Sequence, residues 1–306
     1  MVQIVVQRIL MMLLIIVIGF IACKVKLLSK EGGKQLSNLL MYIVNPLLIL
    51  LSFQQSFEMR LLKNFLLVFL ISFLALALMT LASHFLVRKE GPDRPIERYA
   101  LIYGNCGFFG IPIVNSIYGA EGIFYLTAFM AAFNIFNWSL GITMMKGNDE
   151  KMQVREVLRN LVNPTIIGTV IGFGLFLSSI TLPGLLSNGL QLVADMNTPL
   201  AMIVAGIALS QNKISEVIKN RRLPLIVLLL LVVSPAIVII PLYFIPVAVE
   251  LKVIVSIACA CPAGTTINTF ALKFDKNAGY AAQIYSISTI CSAITIPLFL
   301  LLYSLG

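Results

Sequence analysis

Charge is scarce in this 306-residue chain: Asp, Glu, Lys and Arg make up 11% of it, where soluble domains carry about 25%. Hydrophobic residues reach 59% and the mean hydropathy is +0.98. This excludes a soluble globular protein and defines an integral membrane protein built as a helical bundle. No water-soluble domain can be set apart from it. The longest polar connection, Lys146 to Arg159, has 14 residues, too few to bury a core of its own. Histidine occurs once, as His84. Without a carboxylate pair or a His-rich cluster, an intramembrane enzyme lacks its acid, base or metal set. A Gly-rich P-loop ending in Lys-Ser/Thr is also missing, which excludes nucleotide hydrolysis as a driving force. The cysteines are odd in number, and Cys23, Cys106, Cys259, Cys261 and Cys291 all fall in apolar runs. They form neither a disulfide framework nor a paired metal motif and read as small buried hydrophobes. No metal and no cofactor are expected.

What the chain has in abundance is apolar runs. About 20 such residues cross a bilayer core, and the sequence predicts ten spans: 4–23, 36–54, 64–87, 98–118, 122–145, 161–178, 187–210, 224–246, 252–272 and 278–303. The first is no signal peptide, because it runs past the roughly 7 to 15 apolar residues of a signal core and lacks a small-residue cleavage site. The formal charge of +9 reflects topology rather than a nucleic-acid partner. Connections after odd-numbered spans hold 18 Lys and Arg, and the other side holds 4: Arg8, Arg60, Lys63 and Lys252. The positive-inside rule puts the odd connections in the cytoplasm and both termini outside a multi-pass plasma-membrane protein.

Two spans are interrupted. Gly104-Asn105-Cys106-Gly107-Phe108-Phe109-Gly110-Ile111-Pro112 sets three glycines and a proline in the fourth, lowering helix propensity by about 1 kcal/mol per glycine and about 3 at the proline. Cys259 to Thr266 sets Pro262, Gly264 and two threonines in the ninth. Free backbone groups in hydrocarbon cost several kcal/mol, so such breaks persist only inside protein or beside water. Gly104, Pro112, Cys261, Pro262 and Gly264 are the expected break points. A broken span points the positive end of a half-helix at the membrane interior, which suits an anion, and Asn105 beside it can donate and accept. Glycines that only permit close helix packing are the alternative. Thr265, Thr266 and Asn268 either hold a polar ligand or satisfy carbonyls freed by Pro262.

Shifting the second half over the first by 153 residues lays Gly172 on Gly19, Pro199 on Pro46 and Leu200 on Leu47, while Pro112 and Pro262 lie 150 apart. Halves of five spans, 1–145 and 161–306 joined by 146–160, enter from opposite sides because five is odd. This is an inverted repeat, and Gly/Pro breaks at corresponding places point to a transporter's substrate site. Asp195, inside the seventh span, either carries a coupling proton or sodium ion or caps a helix N-terminus. His84 reads as interfacial. Inter-helix hydrogen bonds explain Asn45, Asn134, Asn137 and Gln283, and Gly168-x-x-x-Gly172 is a packing motif.

Asn105 through Pro112, followed by Tyr118-Gly119, resembles the Asn-x-x-x-x-Gly-Ile-Pro motif in the fourth span of auxin efflux carriers. Pro262-x-Gly264 with Phe270-Ala271 is similar to their ninth span, and Asn163-Pro164 and the Ile-Pro-Leu run at Pro297 also match. The resemblance covers the whole chain. It implies an all-α membrane fold of ten transmembrane helices in two inverted five-helix repeats, of the sodium/proton-antiporter or bile-acid-symporter type, with helices 4 and 9 broken and crossing. It further implies a scaffold domain (spans 1, 2, 6, 7), an elevator-type transport domain (spans 3–5, 8–10) and a homodimer. Carboxylate binding carries over to Asn105, with Gly107, Gly110, Asn163, Thr265, Thr266 and Asn268 as further candidate contacts. The short loop from Lys146 to Arg159 fits the bacterial branch, linked to malate, malonate and related acids. The expected function is secondary active or potential-driven transport of small organic anions. A ligand-sensing receptor on the same scaffold would normally add a soluble output domain, whereas the sequence ends at Gly306, directly after its tenth span.

Overall fold

The computed structural model describes residues 2–88, 90–146, 163–211 and 220–303. The connection beyond Lys146, the expected start of the sixth span at 161, and Lys89, Lys151, Arg155, Arg159, Lys213 and Lys219 lie outside the described residues. The regular elements among the described residues are helices: α1 (Val2–Lys24), α2 (Lys30–Ser52), α3 (Met59–Leu86), α4 (Arg94–Ile102), α5 (Cys106–Lys146), α6 (Pro164–Leu177), α7 (Gly184–Ser210), α8 (Leu223–Phe244), α9 (Val249–Ala260), α10 (Thr266–Lys273) and α11 (Ala278–Leu301). Seven of them, α1, α2, α3, α5, α7, α8 and α11, are long and apolar enough to cross a membrane, and α6 is a shorter apolar helix. The chain is a multi-pass membrane protein.

Helices stand where the apolar runs predict them, with two kinds of departure. The fourth and ninth runs are each divided, into α4 and the start of α5, and into α9 and α10. Conversely, α5 continues through 41 residues, about 60 Å if straight and so about twice the hydrocarbon thickness. It is not straight. Gly119 has φ 57° and ψ −145°, a conformation that glycine adopts without the steric cost of a Cβ, and helices 106–118 and 120–146 meet there at a kink.

Burial follows from a lipid environment. Along α3, Leu61, Phe65, Val68, Ser72, Ala75, Leu76, Met79 and Ser83 are buried. The opposite stripe, Leu66, Leu70, Leu74, Leu81 and Phe85, is exposed, which a bilayer tolerates and water does not. Where polar side chains meet inside the bundle they pair: Asn197 Nδ2 donates to Asn45 Oδ1 at 2.7 Å.

Three of the prolines inside helices are accommodated by widened turns. Three π-turns, Leu40–Val44, Cys106–Gly110 and Leu229–Val233, each end two residues before a proline, at Pro46, Pro112 and Pro235. A proline ring clashes with the carbonyl four residues back, and an i→i+5 turn moves that carbonyl away. Pro112 therefore sits within helix α5, a helical turn or more past the break.

Small residues set the inter-helix distances. A Cβ on Gly206 would lie 2.1 Å from Ile16 O, and one on Gly19 would lie 2.5 Å from Ile203 O, so α1 and α7 touch backbone to backbone. On α6, a Cβ on Gly168 would meet Pro46 O at 2.8 Å, and one on Gly172 would meet the Phe53 ring at 2.6 Å. Close approach through small residues is how membrane helices gain packing energy.

Candidate functional site

The two breaks meet. Asn105 N donates to Pro262 O at 2.7 Å and Gly264 N donates to Tyr103 O at 3.0 Å, forming a single antiparallel bridge between Gly104 and Ala263. The backbone groups freed by each rupture are thus satisfied by the other, which answers the cost of exposing them in hydrocarbon. Ser288 Oγ on α11 accepts from Ala263 N at 3.1 Å. Contact at the bridge is tight: a Cβ on Gly104 would lie 3.0 Å from Cys261 O, and one on Gly110 would lie 3.2 Å from Cys261 Sγ. Gly104 faces Ala263, 159 positions on in sequence, and Pro262 is held by Asn105 and is not set opposite Pro112.

Asn105, 8% exposed, caps the half-helix that follows: its Oδ1 accepts from Phe108 N at 3.2 Å. The cap uses only Oδ1, and the Nδ2 donors have no part in it. Gly107 is in open packing, with Met130 Cε at 3.8 Å from a notional Cβ. Thr266 is bound into the bundle. The Tyr99 hydroxyl donates to Asn137 Oδ1 at 2.6 Å and is hydrogen-bonded to Thr266 Oγ1 at 2.8 Å. Thr265 occupies the N-cap position of α10 without a side-chain cap bond. Asn163 caps α6, accepting from Ile166 N at 3.1 Å through Oδ1. Asp195 does not cap an N-terminus. It follows the first part of α7, Gly184–Ala194, while Met196 is N-cap to Asn197–Ser210, and its Oδ1 accepts from Gln191 Nε2 at 2.7 Å.

Polar cavities flank the bridge in sequence on both sides. One, of 460 Å³, is lined by Lys30, Gln211, Asn268 and Gln283 among others, and Asn268 Oδ1 is buried there without a partner. The other, of 370 Å³, is lined by Arg8, Asn115, Asp195 and Asn197 among others. Asn115 follows Pro112 in α5 and Asn268 follows Pro262 in α10, so each cavity is reached by the half-helix beyond one break.

A network that sequence patterns do not reveal lies six residues before the first break. Glu97, fully buried on α4, takes a two-pronged hydrogen bond from Arg222 Nε and Nη2 and a third, at 3.0 Å, from the Tyr280 hydroxyl. The bond to Glu97 raises the Arg222 pKa further above its ordinary value. An acidic residue between Ile96 and Tyr99, both completely buried, was the available signal; its partners lie 125 and 183 residues away. Among the described residues no group of His, Cys, Asp or Glu is placed to hold a metal ion.

A multi-pass helical protein with two helix breaks hydrogen-bonded to each other is organised as a membrane transporter. The chain belongs to the family described as membrane transport protein, that of the auxin efflux carriers, whose sequence profile matches residues 4–300. An uncharacterized transporter of Methanocaldococcus jannaschii is 24% identical over 216 residues, covering 66% of this chain and 68% of the archaeal protein.

Proposed function

We propose that the protein is a secondary transporter of small organic carboxylates that works by elevator-type alternating access. The observation that carries this is the reciprocal pair of bonds at the bridge, Asn105 N to Pro262 O and Gly264 N to Tyr103 O. Exchanging 103 with 262, 104 with 263 and 105 with 264 maps one bond onto the other, a two-fold that every antiparallel bridge has and that an inverted repeat would place between its two breaks. The packing glycines are related in the same sense: Gly19 against α7 and Gly172 against α2 are 153 residues apart, the offset found in the sequence, against 159 at the bridge. Counting 106–118 and 120–146 as separate passes, and joining α4 to the first and α9 to α10, gives ten.

In this arrangement α1, α2, α6 and α7 form the scaffold and α3–α5 with α8–α11 move, with a homodimer as the working unit. Both termini lie outside the plasma membrane, on the side of Arg8, Arg60, Lys63 and Lys252. Asn105 presents its amide N–H groups to the substrate carboxylate beside a half-helix N-terminus, an electropositive position. The driving force is an ion gradient or the membrane potential acting on the anion, with Asp195 the place for a proton or sodium ion where the substrate brings no positive charge of its own. Solute counterflow in proteoliposomes tests this with labelled lactate, malate, malonate and indole acids. At least one carboxylate is expected to exchange against its unlabelled form, and absence of counterflow for every carboxylate would refute the proposal.

A further inference from the structure

The cavity between α1, α2, α5 and α7 holds more than an open path. Its wall carries Arg8, Leu48, Asn115, Asp195, Asn197 and Thr198. Two buried polar atoms there, Arg8 Nε and Asn197 Oδ1, have no hydrogen-bond partner. Asn197 is 3% exposed and commits its Nδ2 to Asn45, leaving Oδ1 to be satisfied from the cavity. Buried polar atoms in folded proteins are paired with protein, water or ligand. Arg8 and Asp195 bear opposite charges on the same wall, yet no ion pair joins them among the described residues.

These groups demand complementary chemistry. Arg8 Nε needs an acceptor, and a carboxylate, which can take it together with a terminal guanidinium nitrogen, fits it. Asn197 Oδ1 needs a donor, and the neighbouring Asp195 favours a positively charged one. A dicarboxylate would set its second negative charge against Asp195, a like-charge contact that interfaces avoid. We infer that this cavity binds a small zwitterionic amino acid, with its carboxylate on Arg8 and its ammonium between Asn197 Oδ1 and Asp195. The ligand then supplies the positive charge that a separate coupling ion would bring to Asp195. The inference rests on the transporter proposal for its place on the transport path, but binding is measurable without transport.

Calorimetry on the purified full chain, with alanine and serine as probes and lactate and malonate as comparators, tests it. Alanine or serine is expected to show Arg8-dependent binding at least tenfold tighter than any Arg8-dependent binding of lactate or malonate. Arg8→Gln and Asp195→Asn should each weaken amino-acid binding tenfold or more, with ligand-free unfolding temperatures close to wild type; Arg8→Lys, which keeps the charge without the fork, should fall between. Arg8-dependent binding of malonate tighter than that of alanine, no binding of either amino acid, or unchanged alanine affinity in Asp195→Asn would overturn it. So would sodium-dependent malonate binding lost in Asp195→Asn, which makes Asp195 a cation site. Carboxylate counterflow that persists without amino-acid binding sinks this inference alone, whereas amino-acid binding without any counterflow sinks the transporter proposal.

Discussion

Asn105→Asp is expected to lower carboxylate uptake into proteoliposomes at least ~100-fold while the protein stays folded. An aspartate keeps an oxygen for Phe108 N, the bond that Asn105 Oδ1 now accepts at 3.2 Å, and a negative charge at a helix N-terminus is favourable. Facing a substrate carboxylate, however, two like charges about 4 to 5 Å apart repel by about 3 to 4 kcal/mol at the effective dielectric of a partly solvated site. Each 1.4 kcal/mol is about tenfold in affinity. Alanine is a less informative substitution, since it also removes the cap, worth about 1 kcal/mol. Uptake in Asn105→Asp within threefold of wild type would mean that the Asn105 amide does not meet the substrate.

Removal of Arg222 should be strongly destabilising. Arg222→Ala leaves the Glu97 carboxylate, completely buried, with the Tyr280 hydroxyl as its remaining partner from the network. Breaking a buried ion pair from one side costs about 3 to 5 kcal/mol. The lower end, about 3 kcal/mol, applies because the Arg222 side chain is 31% exposed and solvent screens part of its interaction. Adding Glu97→Gln removes the stranded charge and should restore more than half of the loss. Chemical unfolding in detergent and protein abundance in membranes measure both. If Arg222→Ala unfolds within 0.5 kcal/mol of wild type, as an ordinary surface change does, the pair is not what ties α4 to the start of α8.

Helix positions were legible in the sequence because membrane spans must be long, apolar and nearly free of charge, and the ends of α1, α3, α7, α8 and α11 fall within a few residues of those limits. Two interruptions were legible for the same reason, since glycine, proline and amides are conspicuous in such runs. The points of rupture were legible at Gly104, Cys261, Pro262 and Gly264, all non-helical, but not at Pro112. Propensity weights Gly104, Gly107 and Gly110 alike and Pro112 most heavily, yet the π-turn at Cys106–Gly110 absorbs the proline. The chain opens at Tyr103–Asn105, where backbone bonds to Pro262 and Gly264 replace the helical ones. That exchange is a tertiary fact, invisible to local propensity. Thr266 shows the same limit. Its hydroxyl suggests a ligand contact, but Tyr99 and Asn137, from elements far away in sequence, take it into a buried chain of hydrogen bonds.

The most direct test of alternating access asks whether the cavities of Asn115 and Asn268 open in opposition. Single cysteines at each position, introduced into a Cys23→Ser, Cys291→Ser background, report on it, because Cys106, Cys259 and Cys261 are buried. Membrane-impermeant thiol reagents applied from each side, with and without a saturating transported carboxylate, give the labelling rates. An elevator pivoting about the bridged breaks moves the two rates in opposite directions when substrate is added. Rates that rise or fall together, or that stay fixed while transport proceeds, would contradict it.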